Sequence, residues 1–311
     1  MSGQSEEKLD QIIEDLDQIK KALKIVPDRQ TTITNFEDSL ENYEIFALDE
    51  LKIGQGTVDN QKSVIKSFLA HCNGQINEQT VKAYLDSNES KDWKTNQLKA
   101  LRRYLRDYLK LGRWIEDFRF SKKKAQLKKV KIPSDNELAY FCSELPYQIQ
   151  IIFLILHNSG LRVGEVLALT VEIIDFEKNM IDASDIHEGQ TKSAWISFIT
   201  PQTNEYLQSY IESQSLYEES KLFDFSYNYV QESFKKVSEE TGISISPKTL
   251  RLIFTEKCTH AGIDEKYINA FGGRTPKGIL RKHYTDYSPE SMRIQYNKVE
   301  DLLELPFSQD E

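Results

Sequence analysis

Along most of this chain, apolar residues return every three or four positions, the spacing of helices that bury one face. Near the start, Leu9, Ile12, Leu16, Ile19, Leu23 and Val26 keep a heptad spacing among Glu, Asp, Gln and Lys, which predicts an N-terminal helix. The repeat runs to under three heptads, so it suits either a self-associating coiled coil, the reading preferred here, or a helix packed on its own domain. Pro27 and the polar run Asp28 to Thr32 end it. From Thr34 to about Leu111 the pattern remains helical, with turn signals at Gly54-Gln55-Gly56 and Asn73-Gly74 and no period-two strand. The last helix of this stretch, Lys94 to Leu111, aligns Leu98, Leu101, Leu105, Tyr108 and Leu109 on one stripe. That arrangement turns Lys99, Arg102, Arg103, Arg106 and Lys110 outward.

A second helical region begins where Ser134-Asp135-Asn136-Glu137 supplies a helix start before Leu138, Phe141 and Cys142. Its exception is Met180 to Thr200, where Met180-Ile181-Asp182 and Ala194 to Ile199 read as strands flanking a polar hairpin around Gly189. The predicted fold is mostly α with a small antiparallel β-hairpin or sheet. Four parts follow: an N-terminal helix, residues 1–30; a small helical domain, 31–118; a basic linker, 119–133; and a larger domain, 134–311.

At 311 residues and 39% apolar, the chain can bury two cores. Cys72, Cys142 and Cys258 lie far apart, without the spacing of a disulfide framework or a metal module, and neither a metal nor another cofactor is expected. The longest apolar run, Ile149 to Leu156, is far short of the roughly 20 residues that span a bilayer. The acidic N-terminus lacks the layout of a signal peptide. These features predict a soluble cytoplasmic protein that engages no membrane.

The net charge of −9 argues at first against a polyanionic partner, but its distribution reverses that impression. Residues 91–131 hold 15 Lys and Arg against four Asp and Glu. Screening at physiological salt limits charge interactions to about 8 Å, so such a stretch attracts phosphates even in an acidic chain. Beyond the helix already described, Lys122, Lys123, Lys124, Lys128 and Lys129 extend this surface as a basic strap. For a single charge run of this kind, a solvated helix face is the more ordinary reading.

Three segments carry candidate chemistry. In Ser159-Gly160-Leu161-Arg162-Val163-Gly164-Glu165, a glycine ahead of an arginine at a helix start lets the backbone turn and presents the guanidinium from a packed scaffold, with Glu165 placed to orient it. In Ser246-Pro247-Lys248-Thr249-Leu250-Arg251, an N-cap and an N1 proline open a helix whose Lys248 and Arg251 share a face at its positive end, where an anion is favoured. The third segment is Gly272-Gly273-Arg274, followed by Pro276-Lys277 and by His283-Tyr284-Thr285-Asp286-Tyr287.

In this order the three segments resemble the tyrosine recombinases, or phage-type integrases, over roughly residues 134–290. Gly160-Leu161-Arg162-x-x-Glu165 fits the family's first arginine box, Lys248-x-x-Arg251 its second, and Lys192 in Gln190-Thr191-Lys192-Ser193 its hairpin lysine. Arg274 stands where most members carry histidine or tryptophan. The Gly-Arg-x-Pro-Lys…His-Tyr-Thr-Asp ending is similar to integrases of archaeal fuselloviruses and related mobile elements. The resemblance implies a catalytic domain over 134–311, a core-binding domain over 31–118, double-stranded DNA as partner at the nucleoid, and a tetramer assembled on it.

It also implies roles. Arg162, Lys248, Arg251 and Arg274 would bear the charge of a pentavalent phosphorane, Tyr284 would be the nucleophile, and Lys192 the general acid for the departing 5′-oxygen. Tyr284, ten residues after Arg274, fits the family's spacing, whereas Tyr287 stands 13 residues on and needs extra loop. A phenol with a pKa near 10 attacks only where nearby cations favour its phenolate; Arg274, Lys248 and His283 are the neighbours expected to do so, although His283 is singled out only because it adjoins Tyr284. The chemistry needs neither metal nor ATP. Two other readings stand beside this one: a catalytically silent DNA-binding accessory protein of the same fold, and a Xer-like chromosome dimer resolvase. For the C-terminal segment Ser291 to Pro306, docking on a neighbouring copy and packing on its own domain remain equally open.

Overall fold

The computed structural model describes residues 30–120, 132–184, 186, 195–274 and 286–307, and the chain divides into two units, Met1–Leu127 and Lys128–Glu311. The heptad segment and Lys122, Lys123, Lys124, Lys128 and Lys129 lie outside the described residues.

In the first unit, β1 (Thr31–Thr32) is followed by α1 (Phe36–Asp49), α2 (Gln55–His71), β2 (Gln75–Ile76), α3 (Glu78–Asp86) and α4 (Lys91–Arg102). Side chains set the helix starts: Asn35 accepts from the Asp38 N–H, Asn77 and Thr80 form a reciprocal capping box, and Ser90 accepts from the Trp93 N–H. The core gathers Tyr43, Ile65, Phe68, Leu101, Tyr104 and Ile115. β1 and β2 pair antiparallel, with Thr31 opposite Ile76; two residues per strand are too few to print an alternating pattern in the sequence.

The expected uniform helix from Lys94 to Leu111 is corrected here. α4 starts three residues earlier and passes into a π-helical turn over Arg103–Tyr108, which changes the angular spacing of the side chains. Tyr104 and Leu105 turn inward, and the outward cationic row is broken. Arg106 donates to both Asp107 oxygens (2.6 and 2.8 Å) and to Glu116 Oε1 (2.8 Å), while Arg102 donates to the Phe118 carbonyl (2.7 Å). Lys99 and Lys110 are exposed and Arg103 is half-buried.

The second unit is organised around α6 (Tyr147–Ser159), which follows α5 (Asp135–Ser143). α6 is apolar nearly all round, and Ile149 together with every residue from Ile151 to Ser159 is buried, as a central helix requires. α7 (Val163–Val166) leads into an antiparallel sheet of β3 (Ile174–Asp175), β4 (Met180–Asp182) and β5 (Ile196–Phe198), with Met180 opposite Phe198. The predicted hairpin thus gains a third strand. α8 (Pro201–Ser213), α9 (Tyr227–Thr241), α10 (Pro247–His260), α11 (Glu265–Phe271), α12 (Pro289–Tyr296) and α13 (Glu300–Leu303) complete the unit, and the architecture is mostly α with small antiparallel sheets, as expected. Met292, Tyr296, Val299 and Leu303 bury against Phe198, Phe254 and Phe271, so the C-terminal helices pack on their own unit. No described helix is long and apolar enough to cross a membrane.

His157, the one ionisable side chain in the buried stretch of α6, stacks on Phe153. Burial, reinforced by the Lys257 charge, pushes its pKa down to about 3. A histidine depressed in the fold charges first in the unfolded chain, so stability falls as pH drops from the ordinary histidine value of about 6.5 toward about 3. His157→Leu is expected to flatten this acid limb in urea-unfolding midpoints measured across that window; an unchanged slope refutes the assignment.

Candidate active site

The end of α6 places Arg162. Gly160 terminates the helix at φ +67°, a left-handed conformation, and a Cβ there would stand 2.5 Å from the Phe254 ring of α10. Glycine therefore lets α6 and α10 approach closely just where each delivers an arginine. After the turn, the Arg162 N–H donates to Glu165 Oε2 (2.6 Å) and its Nη1 to Oε1 (2.5 Å), so one carboxylate grips both backbone and side chain. Glu165 is only 2% exposed, unlike the surface ion pair that an i,i+3 spacing ordinarily gives.

Arg251 stands on the first turns of α10, after a capping box between Ser246 and Thr249, with exposed Lys248 one turn earlier. Its Nη2 donates to the Gly272 carbonyl, and its Nη1 is buried with no hydrogen-bond partner among the described residues. Burial first, then the charges of Arg162 and Arg274, pull its pKa down to about 10; Glu165 opposes the shift. At neutral pH it remains a cation. Arg162 and Arg274, 112 positions apart in the sequence, thus both act on Arg251.

Gly272 and Gly273 close the third side. Arg162 Nη2 lies 3.5 Å from the Gly273 carbonyl, and the Arg274 N–H is held by the Asn269 carbonyl (2.8 Å), leaving the Arg274 side chain exposed. A Cβ on Gly272 would stand 2.9 Å from Arg251 Nη2. The sequence reading used these glycines only to mark a motif and missed their carbonyls as guanidinium acceptors. The doubled glycine, a common sign of close backbone approach, was the available signal.

Lys192, His283 and Tyr284 lie outside the described residues. The described residues just beyond their segments meet: Trp195 Nε1 donates to the Tyr287 carbonyl (3.4 Å), and the Tyr287 ring packs edge-on against Tyr267 at 5.8 Å. Tyr296 is excluded as an accessible nucleophile, because it is fully buried and its phenol is pushed far above the ordinary range. Among the described residues, no three His, Cys, Asp or Glu side chains gather at metal-binding spacing. Chemically, the arrangement is a cationic centre with one guanidinium N–H that has no partner among the described residues, suited to an anion with several acceptor oxygens.

The family model for the phage integrase family matches residues 134–291. Tyrosine recombinase XerA of Saccharolobus solfataricus is 32% identical over 115 residues, 37% of this chain; the chain spans only 38% of that relative's length. A lambda integrase dimer bound to a COC' core site superposes with a TM-score of 0.61 at 16% identity, covering 86% of this chain and 95% of that one. The Tn1549 transposon integrase in complex with circular intermediate DNA gives 0.59 at 15% identity, covering 83% and 94%. At such identities these likenesses show the fold.

If the Gly272 approach sets the Arg251 guanidinium, Gly272→Ala must displace it, while Gly164→Ala, where a Cβ meets nothing within 4 Å, must not. The stabilisation that inorganic phosphate gives in thermal unfolding is expected to shrink in the first variant and persist in the second. Equal loss in both, or in neither, refutes the assignment.

Proposed function

The chain belongs to the phage integrase family, and from that premise we propose that it is a site-specific DNA recombinase that cleaves and rejoins strands through a 3′-phosphotyrosine bond to Tyr284. The observation that carries this reading is the convergence of Arg162, Arg251 and Arg274, with a buried Arg251 N–H that has no hydrogen-bond partner among the described residues. The phenolate oxygen of Tyr284 attacks phosphorus, the guanidiniums and Lys248 stabilise the phosphorane, and the 5′-oxygen departs with a proton from Lys192. Removing one positioned donor of this kind typically costs about 10² to 10³ in rate.

The assignment of Lys192 and Tyr284 to one site is supported by the hydrogen bond between Trp195 and Tyr287, each three positions along the sequence from one of them. Exposed Arg274 and Lys248 are the cations available to favour a phenolate. The phosphotyrosine link conserves the energy of the broken bond, so a free 5′-hydroxyl of another strand reverses the step without ATP.

Double-stranded DNA as partner, and a tetramer as the working assembly at the nucleoid, follow from the same premise, and the DNA-bound structural neighbours support the first of these. The Gly273-Arg274 ending is the ground for assigning the protein to an archaeal mobile element of the fuselloviral kind; the archaeal XerA relative is compatible with this and also with a Xer-like resolvase. Of the five cations expected to face outward between Lys94 and Leu111, Lys99, Lys110 and Arg103 are left to meet phosphates, whereas Arg102 and Arg106 serve the fold.

A duplex nicked beside the cleavage position is expected to trap the full-length protein covalently, and Tyr284→Phe to abolish the adduct. Tight binding with no adduct at any site favours the accessory protein instead; the sequence of the trapped end separates integrase from resolvase. In salt titrations of duplex affinity, Arg103→Ala is expected to reduce the slope by about one unit and Arg106→Ala much less. An equal drop in both contradicts the division of these arginines.

A further inference from the structure

Asn158 is an uncharged polar side chain in the most apolar helix of the protein, 1% exposed, four residues before Arg162. A buried amide is costly unless its hydrogen-bonding capacity is met. Here it is filled. Oδ1 accepts from the Thr200 N–H (3.1 Å) and hydroxyl (2.9 Å); Nδ2 donates to the Leu303 carbonyl (3.2 Å) and stands 3.2 Å from His157 Nδ1. The Asn158 carbonyl accepts the Tyr296 hydroxyl (3.2 Å).

The next residue extends the set. The Ser159 carbonyl accepts the Ser197 hydroxyl (2.6 Å), and its Oγ accepts the Leu161 N–H (3.2 Å). The backbone immediately before Gly160-Leu161-Arg162 is therefore tied at once to β5, the start of α8, α12 and α13. Arg251 is held by contacts of its own, the Gly272 carbonyl and the packing of Phe254 one turn on. The distance between the two guanidiniums thus depends on how the Asn158 ties seat the arginine turn.

We propose that Asn158 is a positioning residue for Arg162, and that through it the C-terminal helices α12 and α13 set where that guanidinium stands. The catalytic consequence rests on the recombinase reading above; the mechanical coupling does not. A misplacement of about 1 Å in a catalytic group can cost about a hundredfold in rate, so loosening this turn is expected to show in chemistry before it shows in binding.

The test uses the full-length protein, with Asn158→Ala, Tyr296→Phe, and Val237→Ala as a control that removes buried volume from the larger core elsewhere in the unit. Three quantities are read: hydrogen exchange over residues 159–166, the rate of adduct formation on the nicked duplex, and affinity for intact duplex. Asn158→Ala is expected to speed exchange over 159–166 and to slow the adduct about 10- to 100-fold with duplex affinity unchanged. Tyr296→Phe should shift both in the same direction by less, and Val237→Ala should shift neither despite a lowered melting temperature. The proposal is overturned if Asn158→Ala behaves like Val237→Ala, or if binding falls in step with rate. Should Asn158→Ala not fold, Tyr296→Phe against the same control decides. If the wild-type protein forms no adduct, the recombinase reading fails, and exchange over 159–166 alone decides the coupling.

Discussion

Holding three guanidiniums at one place is the constraint that the rest of the second unit has to satisfy. Two unit charges about 4 Å apart repel by about 4 kcal/mol at an effective dielectric near 20, and burial removes the water that would soften this. Burial first, and the charges of Arg162 and Arg274 after it, draw the pKa of Arg251 down to about 10. One buried carboxylate, Glu165, offsets part of it, and the carbonyls of Gly272 and Gly273 orient the guanidiniums with dipoles rather than charges. The distinction matters for function: more carboxylates would neutralise the centre before an anion reached it, whereas carbonyl oxygens fix geometry and leave net positive charge in place.

Such a centre needs a rigid frame, because each cation relaxes away from the others wherever packing permits. α6 and α10 supply that frame by meeting at Gly160 and Phe254, a contact too close for any side chain on the α6 partner. Phe254 continues into Phe271, Phe198 and Tyr296, whose rings lie 5.3 to 6.4 Å apart in edge-on or tilted contacts, so the apolar layer beneath the arginines is continuous with the sheet and the C-terminal helix α12. The C-terminal helices are in this sense part of the floor of the site.

Much of this was legible locally. Gly160-Leu161-Arg162-x-x-Glu165 and Ser246-Pro247-Lys248-x-x-Arg251 encode a turn and a helix start within a few residues, and local capping chemistry survives folding unchanged. The all-apolar α6 and the mostly helical class were equally plain from periodicity. What escaped depends on partners distant in sequence: the third strand β3, the pairing of Arg106 with Glu116, and the ties of Asn158 to Thr200, Tyr296 and Leu303. An asparagine at the end of a hydrophobic helix reads as a helix terminus, and nothing in its neighbourhood reveals a side chain with all four hydrogen-bonding positions filled.

The basic stretch of the first unit shows the same limit from another direction. Counting Lys and Arg over residues 91–131 suggested a continuous cationic face, but charge density in sequence is not charge available in space. The π-helical turn at Arg103–Tyr108 redirects side chains, and Arg106 ends between the carboxylates of Asp107 and Glu116, which raise its pKa while its guanidinium holds that of Glu116 down. Arg102 is likewise absorbed by the Phe118 carbonyl. A chain of net charge −9 can still attract phosphates, because screening makes attraction a matter of the nearest cations within about 8 Å. The cations that matter are then those whose head groups the fold leaves uncommitted, a smaller set than composition suggests and one that only tertiary structure identifies.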